Sequence, residues 1–195
     1  YAHNQRIAIF IDVQNLYHSV RHKFRGKGRV NYKNLMETLK GDRQLVRALA
    51  YTVKSEAVLA EREESSRKTP VRKTTKDKDE EYSGEEAFFL ALEEAGLETR
   101  VKDLQVFADG SKKADWDVGI AIDAIRMADA FDVIVIVSGD GDFVPLVNYL
   151  RWGLGKYVEV AAFQTSASSS LKESADRFID LTAARRIITR TRKRG

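Results

Sequence analysis

Apolar positions along this 195-residue chain fall into two alternating rhythms. Short, nearly continuous apolar runs stand at Arg6–Asp12 (RIAIFID), Leu45–Val53 (LVRALAYTV), Val101–Val106, Val133–Val137 (VIVIV) and Val158–Phe163. Runs of that length, rich in β-branched residues, predict strands buried on both faces, as in a parallel sheet. Between them the apolar residues recur at helical spacing. Helices are predicted from Gln14 to Lys23, from an Asn31 cap through Leu39, and from Glu85 to Ala95 with Gly96 as the stop. Two more are predicted over Asp115–Ala128 and Phe143–Leu150, and a short helix or turn over Leu171–Phe178. The VIVIV strand is the most hydrophobic and is expected at the centre. Strand and helix alternate throughout, which predicts an α/β fold: a three-layer α/β/α sandwich with a mostly parallel central sheet.

One stretch breaks the rhythm. Of the 21 residues 61–81, 14 are charged, Val71 is the only aliphatic one, and Pro70 sits in the middle. Such a segment cannot be core and is expected to be an exposed, mobile insertion. The expected organisation is a single domain over residues 1–184 carrying that insertion, followed by a basic tail at 185–195. No run of 18 apolar residues offers a membrane span. The first residues lack the basic, apolar, small-residue order of a signal peptide. The absence of cysteine excludes a disulfide scaffold, a zinc ribbon, an iron–sulfur site and a cysteine nucleophile, and fits a cytoplasmic protein. With three histidines in all, any metal here is expected to be held by oxygen.

Charge changes the picture through its distribution. The 33 basic and 29 acidic residues give a net charge of only +4, but the signs are segregated. Between Arg21 and Arg47 there are nine Lys/Arg against Glu37 and Asp42, and residues 185–195 add six basic side chains and no acid. Residues 103–142 instead carry a series of aspartates. Solvated helix faces explain much of this. A polyanion gripped by basic flanks over a metal-loaded acidic centre would use the same arrangement.

The acids that matter stand at strand ends. Open parallel sheets place ligands beyond the carboxyl ends of their strands, near the switch in strand order. Asp12 ends the first strand, Asp140 follows VIVIVSG, and Asp142 opens the next helix. A single such Asp commonly just caps a helix. Two strand ends plus a third acid make a cleft whose carboxylates repel one another unless a cation or protons intervene. Asp117, in the first turn of its helix, reaches the mouth of that cleft. Asp123 is six residues further on, roughly 120° off the same helical face, and reads as either an accessory acid or a buried structural one.

Carboxylates grouped this way suit a hard dication such as Mg²⁺ or Mn²⁺. The dication would activate water and stabilise charge on a phosphoryl group. No Ser or Cys triad offers a covalent route, and no G-x-G-x-x-G or Walker-type Gly-Lys-Ser/Thr is present. An aspartyl-phosphate phosphatase would need an acid where Gln14 stands. A nucleic-acid phosphodiester matches both halves of the charge map, with Arg21, Lys23, Arg25, Lys27, Arg29, Lys112 and Lys113 as candidate grips on flanking phosphates. His18 and His22, four apart, have a chelating spacing but no partner acid at the right offset. Tyr17, Phe24 and Tyr32 interleave with the basic run as stacking or core residues. Ser166–Ser170 reads as a flexible loop near the cleft rim.

FIDVQNLY with Asp12 and Asn15, KKADWDVGIAIDAI with Asp117 and Asp123, and VIVIVSGDGDFVPLV with Asp140 and Asp142 together resemble the NYN domain, a PIN-like nuclease fold, in its LabA-like branch. The blocks stand in the family's order and span about residues 6–163. The resemblance implies a PIN-like sandwich and a metal-dependent endoribonuclease acting on RNA. It also implies an acidic site at Asp12, Asp117, Asp140 and Asp142, with Asn15 accessory and Ser138 lining the cleft. Trp116 stands where the family usually has a small residue; it would narrow the mouth or offer a base-stacking surface. The alternative on the same fold is an RNA-binding or adaptor module without catalysis. Homodimerisation and a further protein partner are left open.

Overall fold

The computed structural model describes residues 4–26, 28–53, 84–103, 105–106, 112–113, 115–184 and 186–190. The 61–81 insertion, Lys27 and the last five residues lie outside them. At the centre is a parallel six-stranded sheet built from β1 (Arg6–Asp12), β3 (Gln44–Val53), β4 (Glu98–Lys102), β7 (Val133–Val137), β8 (Tyr157–Ala162) and β9 (Arg177–Asp180). Its strand order is β4-β3-β1-β7-β8-β9. The chain builds outward from β1 to β3 and β4, then returns to β7 on the other flank and builds outward again. The β1/β7 junction is therefore the topological switch point, where a crevice opens beyond the strand ends.

Alternation along the strands sorts the core into two layers. Ile7, Ile9 and Ile11 of β1 and Val133, Val135 and Val137 of β7 face one layer, with α1 (Val13–Lys23) and α2 (Tyr32–Lys40). Leu92, on α3 (Gly84–Glu94), is buried in the same layer. Ala8, Phe10, Ile134 and Ile136 face the other layer, with α4 (Asp117–Met127), α5 (Val144–Asn148) and α6 (Ser169–Ser174). All five side chains of VIVIV are fully buried, each contributing roughly 1.5–3 kcal/mol. This is the expected three-layer sandwich, with VIVIV beside β1 in the middle of the sheet.

The local signals held where side chains or glycine fix the chain. Asn31 caps α2 by accepting from the Asn34 amide at 3.0 Å, and Gly96, at φ +81°, closes α3. The helix predicted from Asp115 begins at Asp117, since no side chain caps it at Trp116. Past Asn148 the helix continues as a π-turn, Tyr149–Gly153. The strand predicted over 101–106 instead runs Glu98–Lys102, because its pairing partner β3 ends at Val53. Gln105–Val106 (β5) turns away to pair with Lys112–Lys113 (β6).

Besides β6, three more strands escape the sequence pattern. β2 (Gly28–Val30) lies just past the glycine break and pairs antiparallel with β10 (Ile188–Arg190). β9, at the sheet edge, takes residues assigned to a short helix or turn, so Val158–Phe163 does not hold the final strand. The expected domain end at 184 is also crossed. Ile187 is fully buried in the first layer and its carbonyl accepts from the Asn31 amide. The apolar pair within RRIITR is what draws this part of the basic segment into the fold. Among the described residues, no helix is long and apolar enough to cross a membrane.

Candidate functional site

Asp12 lies on the same face of β1 as Phe10, toward α4, and beyond the last paired residues Ile11 and Val137 it meets Ser138 from the adjacent strand. Its Oδ1 accepts from the Asn15 amide at 3.1 Å, which caps α1, and its Oδ2 accepts from the Ser138 hydroxyl at 3.1 Å. Ser138 Oγ in turn accepts from the Asp140 amide at 3.2 Å. Asn15 Oδ1 accepts from the Gly139 amide at 3.0 Å. A continuous hydrogen-bond chain thus ties the start of α1 to the loop after β7. Asp140 caps the following 3₁₀ turn (Gly141–Phe143), its Oδ1 accepting from the Asp142 amide at 3.0 Å. Burying Phe143 in the second layer seats that turn.

The first turn of α4 supplies Asp117. Asp117, Asp140 and Asp142 each present a carboxylate oxygen, and these oxygens lie within 4.8 Å of one another. Asp12 adjoins the group electrostatically. Burial pushes the Asp117 carboxyl up to about 6, helped by the charges of Asp12, Asp140, Asp115 and Asp142. Burial likewise raises Asp12, opposed by the Asn15 amide and the Ser138 hydroxyl and reinforced by Asp140 and Asp115. Like charges are crowded here, and each disfavours ionisation of its neighbours. Hard oxygens at this spacing suit a dication, which Mg²⁺ or Mn²⁺ would satisfy.

The structure thus brings together Asp117, Asp140 and Asp142, with Asp12 near enough for its charge to act on Asp117 and with Asn15 and Ser138 tying Asp12 to the loop that carries Asp140. It does not bring Asp123 to them. Asp123 accepts from the Tyr51 hydroxyl and from Arg126, both at 2.8 Å, and faces Arg100 at 3.8 Å. It stands about 1.7 turns further along α4 than Asp117, where these contacts engage both its oxygens. Trp116 is half-buried: its indole N–H donates to the Thr52 carbonyl at 2.8 Å and its ring meets Tyr51 edge-on. Lys102, at the carboxyl end of β4, stands 4.4 Å over that ring.

Lys102 is a cation the sequence reading missed; its signal was its place at a strand's carboxyl end. Among the candidate phosphate grips, Lys23 reaches the carboxyl end of β8, 5.9 Å over the Phe163 ring. Arg21 donates to the Tyr17 hydroxyl at 2.9 Å, and Arg25 and Arg29 are exposed. Lys112 and Lys113 belong to β6, of which only the backbone is described. The His18 ring rests edge-on against Tyr17. A shallow hollow beside the acids is lined in part by Asn15, Ser19, Ser138 and Phe163.

Comparison with known proteins agrees with this geometry. The profile of the NYN domain family matches residues 6–182. The Low amplitude and bright protein LabA of Synechococcus elongatus is 32% identical over 109 residues, 53% of this chain and 58% of that protein. The chain therefore matches little more than half the length of this relative. A crystal structure of VPA0982 from Vibrio parahaemolyticus, described as of unknown function, overlays with a TM-score of 0.75 at 29% identity, covering 97% of this chain and 99% of that one. A looser overlay, TM-score 0.42 at 18% identity, is with the bacteriophage T5 flap endonuclease, over 86% of this chain and 59% of the other. With sequence match and strand-end acids coinciding over residues 6–182, the chain belongs to the NYN domain family.

Proposed function

We propose that this protein is a metal-dependent endoribonuclease that hydrolyses phosphodiester bonds in single-stranded or unpaired RNA. The observation that carries the reading is the meeting of Asp117, Asp140 and Asp142 oxygens within 4.8 Å, beside buried Asp12 at the switch point of the sheet. Family membership supports a nuclease-type function, and NYN nucleases act on RNA.

The donor set is all oxygen and strongly repulsive when empty, which is the chemistry a hard dication relieves. Mg²⁺ or Mn²⁺ bound there would stabilise charge on the phosphoryl oxygens and ease deprotonation of an attacking water. Asp117, Asp140 and Asp142 are the residues to hold it. Asp12 uses both its oxygens to fix Asn15 and Ser138, and acts on the same centre through its remaining lone pairs, directly or across a water. Asn15 and Ser138 hold the Gly139–Asp142 loop so that two of the acids keep their place. Lys23 and Lys102 flank the cleft at the same end of the sheet as positions for neighbouring phosphates, with Arg21, Arg25, Arg29, Lys27, Lys112 and Lys113 adding sequence-independent attraction. The cysteine-free chain fits a cytoplasmic setting.

The test is cleavage of end-labelled single-stranded RNA with Mn²⁺ or Mg²⁺ and with chelator. Internal cuts are expected only with metal, and Asp12→Asn or Asp140→Asn should abolish them while RNA binding survives. Absence of metal-dependent products at large enzyme excess, with binding intact, would replace the nuclease by an RNA-binding module.

A further inference from the structure

The SASSS stretch, expected as a flexible loop, instead leads from β8 into α6, with Ser168 at the cap and Ser170 in the first turn of that helix, and it is hydrogen-bonded into place. The Ser166 and Ala167 amides both donate to the Phe163 carbonyl at 3.0 Å, and the Ser168 amide donates to the Gly139 carbonyl at 2.9 Å. The loop therefore lies directly on the loop that carries Asp140 and Asp142. Contact is so close that a Cβ on Gly141 would sit 3.0 Å from Ser168 Oγ and 3.9 Å from Ser170 Oγ. Both hydroxyls stand over the residue that separates two of the clustered acids.

Their chemistry differs from their surroundings. Ser168 Oγ and Ser170 Oγ are 2.8 Å apart. One O–H is spent inside the pair, which leaves one donor and several acceptor lone pairs that the pair itself does not use. A carboxylate, in contrast, only accepts. A phosphate, which also only accepts, finds a single donor there amid like charge. A ribose hydroxyl, which both donates and accepts, satisfies the pair on both counts.

We propose that Ser168 and Ser170 read the 2′-hydroxyl of the nucleotide lying against Asp140 and Asp142, and so select RNA over DNA. This rests on the nuclease reading for the position of the strand, and makes the two serines specificity residues rather than catalytic ones.

Affinity and cleavage separate the two readings. Binding of RNA and DNA oligonucleotides of one sequence is measured by anisotropy in chelator, for the native protein, for Ser170→Ala and for the double variant Ser168→Ala/Ser170→Ala. Ser170 is exposed and, among the described residues, its hydroxyl is bonded to Ser168, so the single variant is expected to keep the native melting temperature. The native protein should prefer RNA, and the double variant should lose about 3- to 10-fold in RNA affinity with DNA affinity unchanged. A native protein that binds both sugars alike, or a double variant that keeps the full RNA preference, overturns the proposal. RNA preference in binding without any cutting in Mn²⁺ would instead sink the nuclease reading and leave the sugar reading standing. Equal cutting of RNA and DNA would do the reverse.

Discussion

Ser138 donates its hydroxyl to Asp12 across 3.1 Å and accepts from the Asp140 amide through the same oxygen. One small side chain, 2% exposed, thereby couples the ends of the two central strands. Ser138→Ala leaves Oδ2 of Asp12 and the Asp140 amide without this partner. The expected loss is about 1–2 kcal/mol, read from the urea midpoint. Because Asp12 keeps its Asn15 contact, its carboxyl should rise further rather than move away. An unchanged midpoint would mean that water replaces the hydroxyl without cost.

Asp117 sets the sign of a pH effect. In the folded chain its carboxyl is pushed up to about 6, against an ordinary value of 3.8. Between those values the native state takes up a proton that the unfolded state does not, so the group favours folding as pH falls and penalises it fully above about 6. Metal-free protein should therefore melt at a higher temperature at pH 5 than the trend of Asp117→Asn implies. The difference between the two proteins should grow from pH 5 to pH 7, with the native chain the less stable. Adding Mn²⁺ at pH 7 should reverse the order, since a dication removes the repulsion. Parallel curves for the two proteins in chelator would contradict the crowding of charge at Asp117.

How far the chain could be read in advance depended on how local each signal was. IAIFI and VIVIV announce buried parallel strands because they are apolar at every position, and Asp12 and Asp140 stand just beyond them in the sequence. Asn31 and Gly96 mark their helix ends through contacts within a few residues. β9 and β10 are different: RFID and ITR carry no period of their own and become strands only because β8 and β2 present open edges. Asp123 illustrates the same limit at the site. Its apolar setting on α4 was visible, but its partners Tyr51 and Arg100 come from β3 and β4, more than 20 positions away. The tight seating of the serine loop was likewise hidden, because its anchor is the Gly139 carbonyl on another strand's end.

Two glycines in the SGDGD loop should tolerate a methyl group differently. A Cβ on Gly139 would fall 3.1 Å from both the Ala167 Cα and the Ser166 carbonyl oxygen, which are backbone atoms and cannot turn aside. Gly139→Ala should cost about 1–3 kcal/mol and lift the serine loop, lowering cleavage together with stability. The nearest neighbours of a Cβ on Gly141 are side-chain atoms, Ser168 Oγ at 3.0 Å and Cβ at 3.3 Å, with Ser170 Oγ at 3.9 Å. Gly141→Ala should cost less, because that hydroxyl can rotate. Thermal melts of both variants give the comparison, and a larger loss at Gly141 would mean the loop is seated differently.

Asp123 should prove dispensable for cleavage and important for folding. Its two oxygens serve the Tyr51 hydroxyl and Arg126, with Arg100 near the first. Tyr51 is fully buried, so Asp123→Ala takes the acceptor from its phenol and removes the carboxylate that faces Arg100 and Arg126. The expected cost is about 1–3 kcal/mol. Tyr51→Phe, which removes the donor as well, should be milder, and adding it to Asp123→Ala should recover part of the loss. Turnover of RNA by either variant, measured below its melting temperature, should stay within about twofold of native, since a distant structural acid makes no contact with the reacting phosphate. A tenfold fall in kcat at unchanged KM, in a variant that still melts cooperatively, would return Asp123 to the acidic centre and force a different placement of the substrate along α4.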